Sequence, residues 1–305
     1  MTEAARQAAA DLASSGDGLV SGQPVLDLLV ALLDLERIEE NIFRGVSPAE
    51  SPVRVFGGQV AGQALVAAGR TVPAERKVHS LHAYFIRPGD PSIPIVYEVD
   101  RIRDGRSFTT RRVIAVQRGK AIFALSASFQ QPEPGLEHAE PMPAVPDPET
   151  LPTRAESMRR YADKLGPIAR VPRPIDVRYV TDPPWEVRDR GPAEARSQVW
   201  MRADGSLPDD ELLHVCVLTY ASDMTLLDSV LVRHGAYWGL DRVLGASLDH
   251  ALWFHRPFRA DEWFLYDCAS PSASGARGLA TGRFFGRDGT LIATVVQEGL
   301  LRILD

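Results

Sequence analysis

Tyr84-Phe85-Ile86-Arg87-Pro88 returns 169 positions later as Trp253-Phe254-His255-Arg256-Pro257, and this pair of stretches decides the fold. The same displacement places Tyr97 on Tyr266. One further residue of shift matches Gly105 to Gly275, Gly119 to Gly289 and Ile122 to Ile292. The shared order of elements says more than these few identities. In the first half, Phe56 to Gly69 is rich in Gly and Ala, with Val60, Ala64 and Ala67 at helical spacing, and small residues let a buried helix lie close to a sheet. Four runs rich in β-branched and aromatic residues follow: Ser80–Arg87, Ile95–Ile102, Ser107–Gln117 and Ala121–Phe129. Asp104-Gly105 and Arg118-Gly119 suit the hairpins between them. In the second half, Gln198–Arg202 reads as a strand and Ser222–Arg233 as a helix. Asp249–His255, Trp263–Ala269, Arg277–Phe285 and Leu291–Ile303 then repeat the series. A helix wrapped by an antiparallel sheet, present twice, is an α+β architecture.

The chain between and around the repeats sets the expected boundaries. Thirteen of the 23 prolines lie between Pro132 and Pro192, where a missing backbone donor and a fixed φ suit neither a helix interior nor a central strand. The expected organisation is therefore an N-terminal extension over 1–25 and a first domain over 26–131. A Pro-rich linker over 132–190, with one short helix near Ala155–Leu165, then leads to a second domain over 191–305. A 305-residue chain with 45% apolar and 24% charged residues is neither disordered nor a disulfide-rich mini-protein. Its net charge of −6 gives no footprint for nucleic acid, and no apolar run reaches membrane-span length. Cys216 and Cys268 sit in apolar segments and read as buried, reduced thiols. The polar Met1–Gly18 segment lacks the apolar core of a signal peptide, and Arg302-Ile303-Leu304-Asp305 matches no peroxisomal tail. Cytoplasm is the expected location.

Common catalytic patterns are missing from the sequence: it has no GxSxG elbow, Walker loop, GxGxxG after a strand, CxxC or HExxH. Polar groups set in apolar elements stand out instead. Asp223 follows the apolar stretch Val215 to Tyr220 and opens the expected second helix, Ser247 just precedes a strand, and Gln297 lies inside Ala293-Thr294-Val295-Val296-Gln297. Taken singly, a helix cap, a strand-entry turn and a satisfied edge residue would account for them. The repeat puts Val78 opposite Ser247 and Ala127 opposite Gln297, so only one copy carries polar groups there. The shift also sets Asp223 against Arg54, across loops of differing length.

Val55-Phe56-Gly57-Gly58-Gln59-Val60-Ala61-Gly62-Gln63-Ala64-Leu65 resembles the type II acyl-CoA thioesterase family, as does His79-Ser80-Leu81-His82-Ala83-Tyr84-Phe85-Ile86-Arg87-Pro88-Gly89. In the second half, Leu248-Asp249-His250-Ala251-Leu252-Trp253-Phe254-His255-Arg256-Pro257 and Val296-Gln297-Glu298-Gly299 carry the same resemblance. It runs from about Leu28 to Arg302 and implies a double hotdog fold and hydrolysis of acyl-CoA to free acid and CoA. It also implies a catalytic Asp, hydroxyl residue and Gln, which fall by motif on Asp223, Ser247 and Gln297. A homo-oligomer, dimer or tetramer, is implied as well, with acyl-CoA as the small-molecule partner and no metal or other cofactor.

The trio suits attack by water on an already activated carbonyl: Asp223 accepts the proton, while Ser247 and Gln297 hold the water in line. The developing oxyanion needs donors, and the free N–H groups of a helix N-terminus offer them, so Gly57, Gly58 and Gln59 are expected to bind substrate, with helix packing the equal alternative for the glycine pair. The densest basic stretch, Arg101, Arg103, Arg106, Arg111 and Arg112, reads as solvated strand faces paired with acids. His250 and His255 flank Trp253 and read as strand packing at an oligomer contact. Two rival functions share the fold: an acyl-CoA-binding protein without turnover, and an enoyl-CoA hydratase. The R-specific hydratases carry His five residues after the catalytic Asp, a position that holds Asp228 here.

Overall fold

The computed structural model describes residues 21–48, 54–165, 173–238, 241 and 243–304. The expected extension over 1–25 lies outside the described residues up to position 20. The helices are α1 (Gln23–Leu33), α2 (Gly57–Gly69), α3 (Arg154–Met158), α4 (Ala162–Leu165), α5 (Pro184–Arg190), α6 (Glu211–Ser222) and α7 (Asp228–Arg233). None among the described residues is long and apolar enough to cross a membrane. The first-half strands are β1 (Glu36–Glu39), β2 (Ile42–Gly45), β3 (Lys77–Phe85), β4 (Ile95–Asp104), β5 (Phe108–Gln117) and β6 (Lys120–Gln130). The second-half strands are β7 (Ile175–Tyr179), β8 (Arg196–Ala203), β9 (Val243–Ser247), β10 (Asp249–Phe254), β11 (Phe264–Ser274), β12 (Arg277–Gly286) and β13 (Leu291–Ile303).

One antiparallel sheet runs β1-β2-β4-β5-β6-β3-β10-β13-β12-β11-β8-β7, with β9 added to β13. The order β4-β5-β6-β3 is repeated as β11-β12-β13-β10, and the halves join edge to edge through β3 and β10. In that seam His82 opposes Ala251, and these two positions are 169 apart, the displacement of the sequence repeat. A residue that pairs with its own counterpart lies on a two-fold axis, so the duplication has become a pseudo-symmetric pair of hotdogs. The β5–β6 turn is tight, with Arg118 (φ 49°) and Gly119 (φ 68°) both left-handed, as a two-residue hairpin requires.

Each half wraps one central helix, α2 or α6. From Gly58 to Ala68 every residue of α2 is buried, Gln59 and Gln63 included, so the helix is covered on all sides and has no solvent face. The two helices run antiparallel in contact, Gly58 against Tyr220, Gly62 against Cys216 and Gly69 against Leu212. A Cβ on Gly58 would stand 2.4 Å from the Tyr220 carbonyl oxygen, a backbone atom that has nowhere to go.

Two expectations need correction. The second central helix is Glu211–Ser222, not Ser222–Arg233, and Asp223 caps its C-terminal end instead of opening it. The helix starts on Asp210, whose carboxylate accepts the N–H groups of Leu212 and Leu213. Of the expected helix, Ser222 ends α6 and Asp228–Arg233 forms the separate α7. The interval 132–190 does contain helical turns over Arg154–Leu165, but it also supplies β7 at the sheet edge and α5. Its first part is strapped to the outer face of the second half. Trp200 donates from Nε1 to the Pro146 carbonyl (2.9 Å), and Met142, Val145 and Leu151 cover Trp200, Trp263, Leu265 and Phe285.

In an exposed helix interior, Gly→Ala stabilises by up to about 1 kcal/mol. At Gly58 the sign is expected to reverse, with a loss of about 1–3 kcal/mol as the helices are forced apart. Urea denaturation of Gly58→Ala measures it, and a stability equal to or above wild type would contradict the close contact.

Candidate active site

The antiparallel helix contact brings the N-terminus of α2 against the C-terminus of α6, and Asp223 is the residue placed there. It sits half-buried in the C-cap position, with φ −88° and ψ 0°. A carboxylate at a helix C-terminus opposes the dipole at a cost of about 0.3–1 kcal/mol. Two hydrogen bonds to its Oδ1 compensate, one donated by Ser247 Oγ (3.0 Å) and one by Gln297 Nε2 (2.9 Å). Bonds to a charged group contribute about 1.5–3 kcal/mol each, so the placement is tolerated. Among the described residues nothing donates to Oδ2, which faces Gly57.

Ser247 ends β9, next to the short turn into β10. Leu248 fastens that turn twice, its N–H to the Glu298 carbonyl and its carbonyl to the Phe85 N–H, both at 2.9 Å. Gln297 lies in the middle of β13, flanked by β10 and β12, and is fully buried. It is therefore not an edge residue. Its Nε2 also donates to Ser247 Oγ (2.8 Å), closing a triangle of Asp223, Ser247 and Gln297.

Sequence reasoning missed the group behind the triangle. His250 is 1% exposed and faces inward from β10, packed in the core of its own chain instead of on an outer strand face. Its Nδ1 lies 2.6 Å from Gln297 Oε1 and its Nε2 lies 2.8 Å from Ser222 Oγ. Burial holds its pKa below the usual histidine value, against the opposing pull of Asp223. Alternation along Asp249–Phe254 puts His250 and Leu252 on the core face, a signal present in the sequence.

The three expected substrate-binding positions diverge. Gly57 is at the site: a Cβ there would stand 2.6 Å from Asp223 Oδ2 and 2.8 Å from Phe85 Cε1. Gly58 serves the helix contact. Gln59 points away, donating to the Val46 carbonyl and to Ser47 Oγ, both at 3.0 Å. No side chain caps the N-terminus of α2, where Phe56 is the N-cap residue. The site thus lies on the seam, with Gly57 and Phe85 from one half and the polar triangle from the other. Both cysteines are buried and free, their thiols pushed up by burial, which makes them poor nucleophiles. Of the basic stretch, Arg111 is buried against Asp104 and Thr71, and Arg112 pairs with Asp100.

Comparison with known proteins identifies the family. A family profile described as Acyl-CoA thioesterase matches residues 169–300, and one described as Acyl-CoA thioesterase N-terminal domain matches residues 47–130. Acyl-coenzyme A thioesterase 8 of Mus musculus is 42% identical over 299 residues, covering 94% of this chain and 92% of that protein. The chain belongs to the type II acyl-CoA thioesterase family. The solved acyl-CoA thioesterase II TesB2 of Mycobacterium marinum is 47% identical, with a TM-score of 0.75 over 91% of this chain and 99% of that one. A hot dog-fold protein of Alicyclobacillus acidocaldarius, 21% identical, shares the fold with a TM-score of 0.74 over 91% of this chain and 98% of that one.

Within this thioesterase the described residues of the first half form no equivalent triangle. The C-cap of α2, opposite Asp223 in the pseudo-symmetry, is Arg70, not the Arg54 that the bare shift suggests. Arg70 donates to the Leu35 carbonyl and to Asp34. Pairing with β3 sets Ala127 where Gln297 stands in β13.

Gly57→Ala is expected to behave unlike Gly58→Ala. Its methyl group meets the movable ends of Asp223 and Phe85, so activity should fall by about 10²-fold while the unfolding midpoint stays near wild type. Parallel assays of turnover and thermal unfolding check this, and a variant with full activity would place Asp223 elsewhere.

Proposed function

We propose that the chain hydrolyses fatty acyl-CoA to free fatty acid and CoA by direct attack of an Asp223-activated water, without a covalent acyl-enzyme. The observation that carries the reading is the shared geometry at Asp223. Its Oδ1 is tied by Ser247 and Gln297, while its Oδ2 faces the start of α2 at Gly57. In this reading Asp223 is the general base. Ser247 and Gln297, each able to bond both the carboxylate and a water, set the line of attack.

Charge that develops on the thioester oxygen would be met at the N-terminus of α2. The first N–H groups of a helix have no partner within it, and its dipole favours an anion. Phe56 N-caps this helix without a side-chain bond, so the N–H groups of Gly57, Gly58 and Gln59 are the candidate oxyanion donors. Phe56 and Tyr220 pack edge-to-face 5.1 Å apart beside this end of the helix and would shield the reacting carbonyl from bulk water.

Hydration of an enoyl-CoA finds less support. Asp228 is buried, accepts a bond from Trp238 Nε1 (2.8 Å), and takes no part in the triangle. His250 bonds Gln297 and Ser222 instead of facing the space in front of Asp223. A binding protein without turnover would have no use for a carboxylate held against a helix dipole. A cytoplasmic location and a homo-oligomer, dimer or tetramer, belong to the same reading.

Release of free CoA thiol from acyl-CoAs ranging from butyryl to stearoyl tests it, with wild type and Asp223→Asn run side by side. Loss of the general base is expected to lower kcat by ~10²–10⁴ with the fold intact. Near-wild-type release by Asp223→Asn would contradict the assignment. No release by folded wild type from any chain length would favour the binding protein.

A further inference from the structure

Gln297 can serve Asp223 only with its amide turned one way. An ionised Asp223 Oδ1 accepts and never donates, so the amide must present Nε2 to it and to Ser247 Oγ. Turned over, Gln297 would set its own oxygen 2.9 Å from the Asp223 carboxylate, two acceptors facing each other without a proton. Nothing within Gln297 prefers one orientation, since its O and N ends are alike in shape. Asp223 selects Nε2 on the near side, and on the far side the group in contact with Oε1 is His250 Nδ1, at 2.6 Å.

We infer that His250 is a positioning residue of this active site: its Nδ1–H, donated to Gln297 Oε1, locks the amide with Nε2 toward Asp223 and Ser247. The inference rests on the catalytic reading of that trio. Because Gln297 Oε1 can only accept, the imidazole must carry its proton on Nδ1. Both groups are almost wholly buried, so no bulk water competes for the bond.

The second ring nitrogen shows how that tautomer is held. A neutral imidazole protonated on Nδ1 has a lone pair on Nε2, and Ser222 Oγ stands 2.8 Å away to donate to it. The same hydroxyl lies 2.8 Å from the Thr219 carbonyl, a bond that serine commonly makes one turn back along a helix. Its single proton can go to the carbonyl or to the ring but not to both, so Ser222 accommodates the Nδ1–H tautomer, while Gln297 Oε1, which only accepts, is the group that demands it. Ser222 is itself anchored, its carbonyl accepting from Tyr266 Oη (2.8 Å). A chain of buried groups thus runs from the core of the second half through Ser222, His250 and Gln297 to the carboxylate. Each member receives its orientation from the one before it.

A packing role and a positioning role predict different kinetics. His250→Leu fills the space without a donor and is expected to lower kcat by about 10- to 100-fold, a cost typical of a misplaced catalytic group, with little change in KM. His250→Asn carries an N–H close to the position of Nδ1 and is expected to recover about tenfold of that loss. The deciding measurement repeats His250→Leu in a Gln297→Ala background, assayed below the melting temperature of every variant. If His250 acts through Gln297, the second substitution costs less than about twofold there. An equal loss in both backgrounds, no recovery by His250→Asn, or full activity in His250→Leu would each overturn the inference. Should Gln297→Ala and Asp223→Asn both leave turnover intact, the reading of the trio fails first, a result distinct from those three.

Discussion

The close antiparallel contact of the two central helices is the constraint on which the rest of the molecule depends. It is possible because Gly58 lets α2 approach the Tyr220 carbonyl, where even a methyl group would stand 2.4 Å from a backbone oxygen. Antiparallel packing sets the positive end of one helix against the negative end of the other. It also carries Asp223, at the end of α6, to the start of α2 at Gly57. Without that approach the carboxylate and the unpaired N–H groups would belong to separate places. The seam between β3 and β10 makes the same meeting from the outside, closing two half-sheets into one and tying Phe85 to the turn after Ser247.

Among the described residues, only one of the two possible meeting points brings a carboxylate, a hydroxyl and an amide together. The pseudo-symmetry offers a second junction at the other ends of the helices, where Arg70 occupies the C-cap position and the strand holds Ala127. Arg70 bonds a carbonyl and Asp34, and buried Arg111 is paired with Asp104 nearby in the same half, so that half spends its polar groups on structure. The second half keeps a carboxylate in an unfavourable helix position and buries an amide, an imidazole and a hydroxyl in one chain. Such a network is tolerated because each member has its partner.

Much of this was legible in the sequence because the repeat is long and its turns fall in equivalent places. The displacement between Tyr84 and Trp253 names the strands that meet on the pseudo-two-fold axis, and the polar trio follows by motif from the family resemblance, with the mismatch between copies adding weight. The second central helix was misplaced for a physical reason. From Val215 to Tyr220 it is buried on nearly all sides and shows no amphipathic period, whereas the mixed run after Asp223 imitates one. Strand β7 alternates in Ile175-Asp176-Val177-Arg178-Tyr179, but the prolines around it masked a five-residue edge strand. His250 was read with its exposed neighbours, although the period of two places it on the opposite face from Trp253. Gln59 lies two residues beyond Gly57, the glycine that reaches the site, and the turn of the helix aims it elsewhere.

The central claim is that Asp223 activates water and does not itself attack the thioester. A single turnover in oxygen-18 water, with enzyme in excess over acyl-CoA, separates the two most directly. General-base attack predicts one heavy oxygen in the fatty acid released in that first turnover, and none in the peptide that contains Asp223. Unlabelled fatty acid together with a labelled Asp223 carboxylate would mean that the aspartate attacks the carbonyl and forms an anhydride, and would contradict the account.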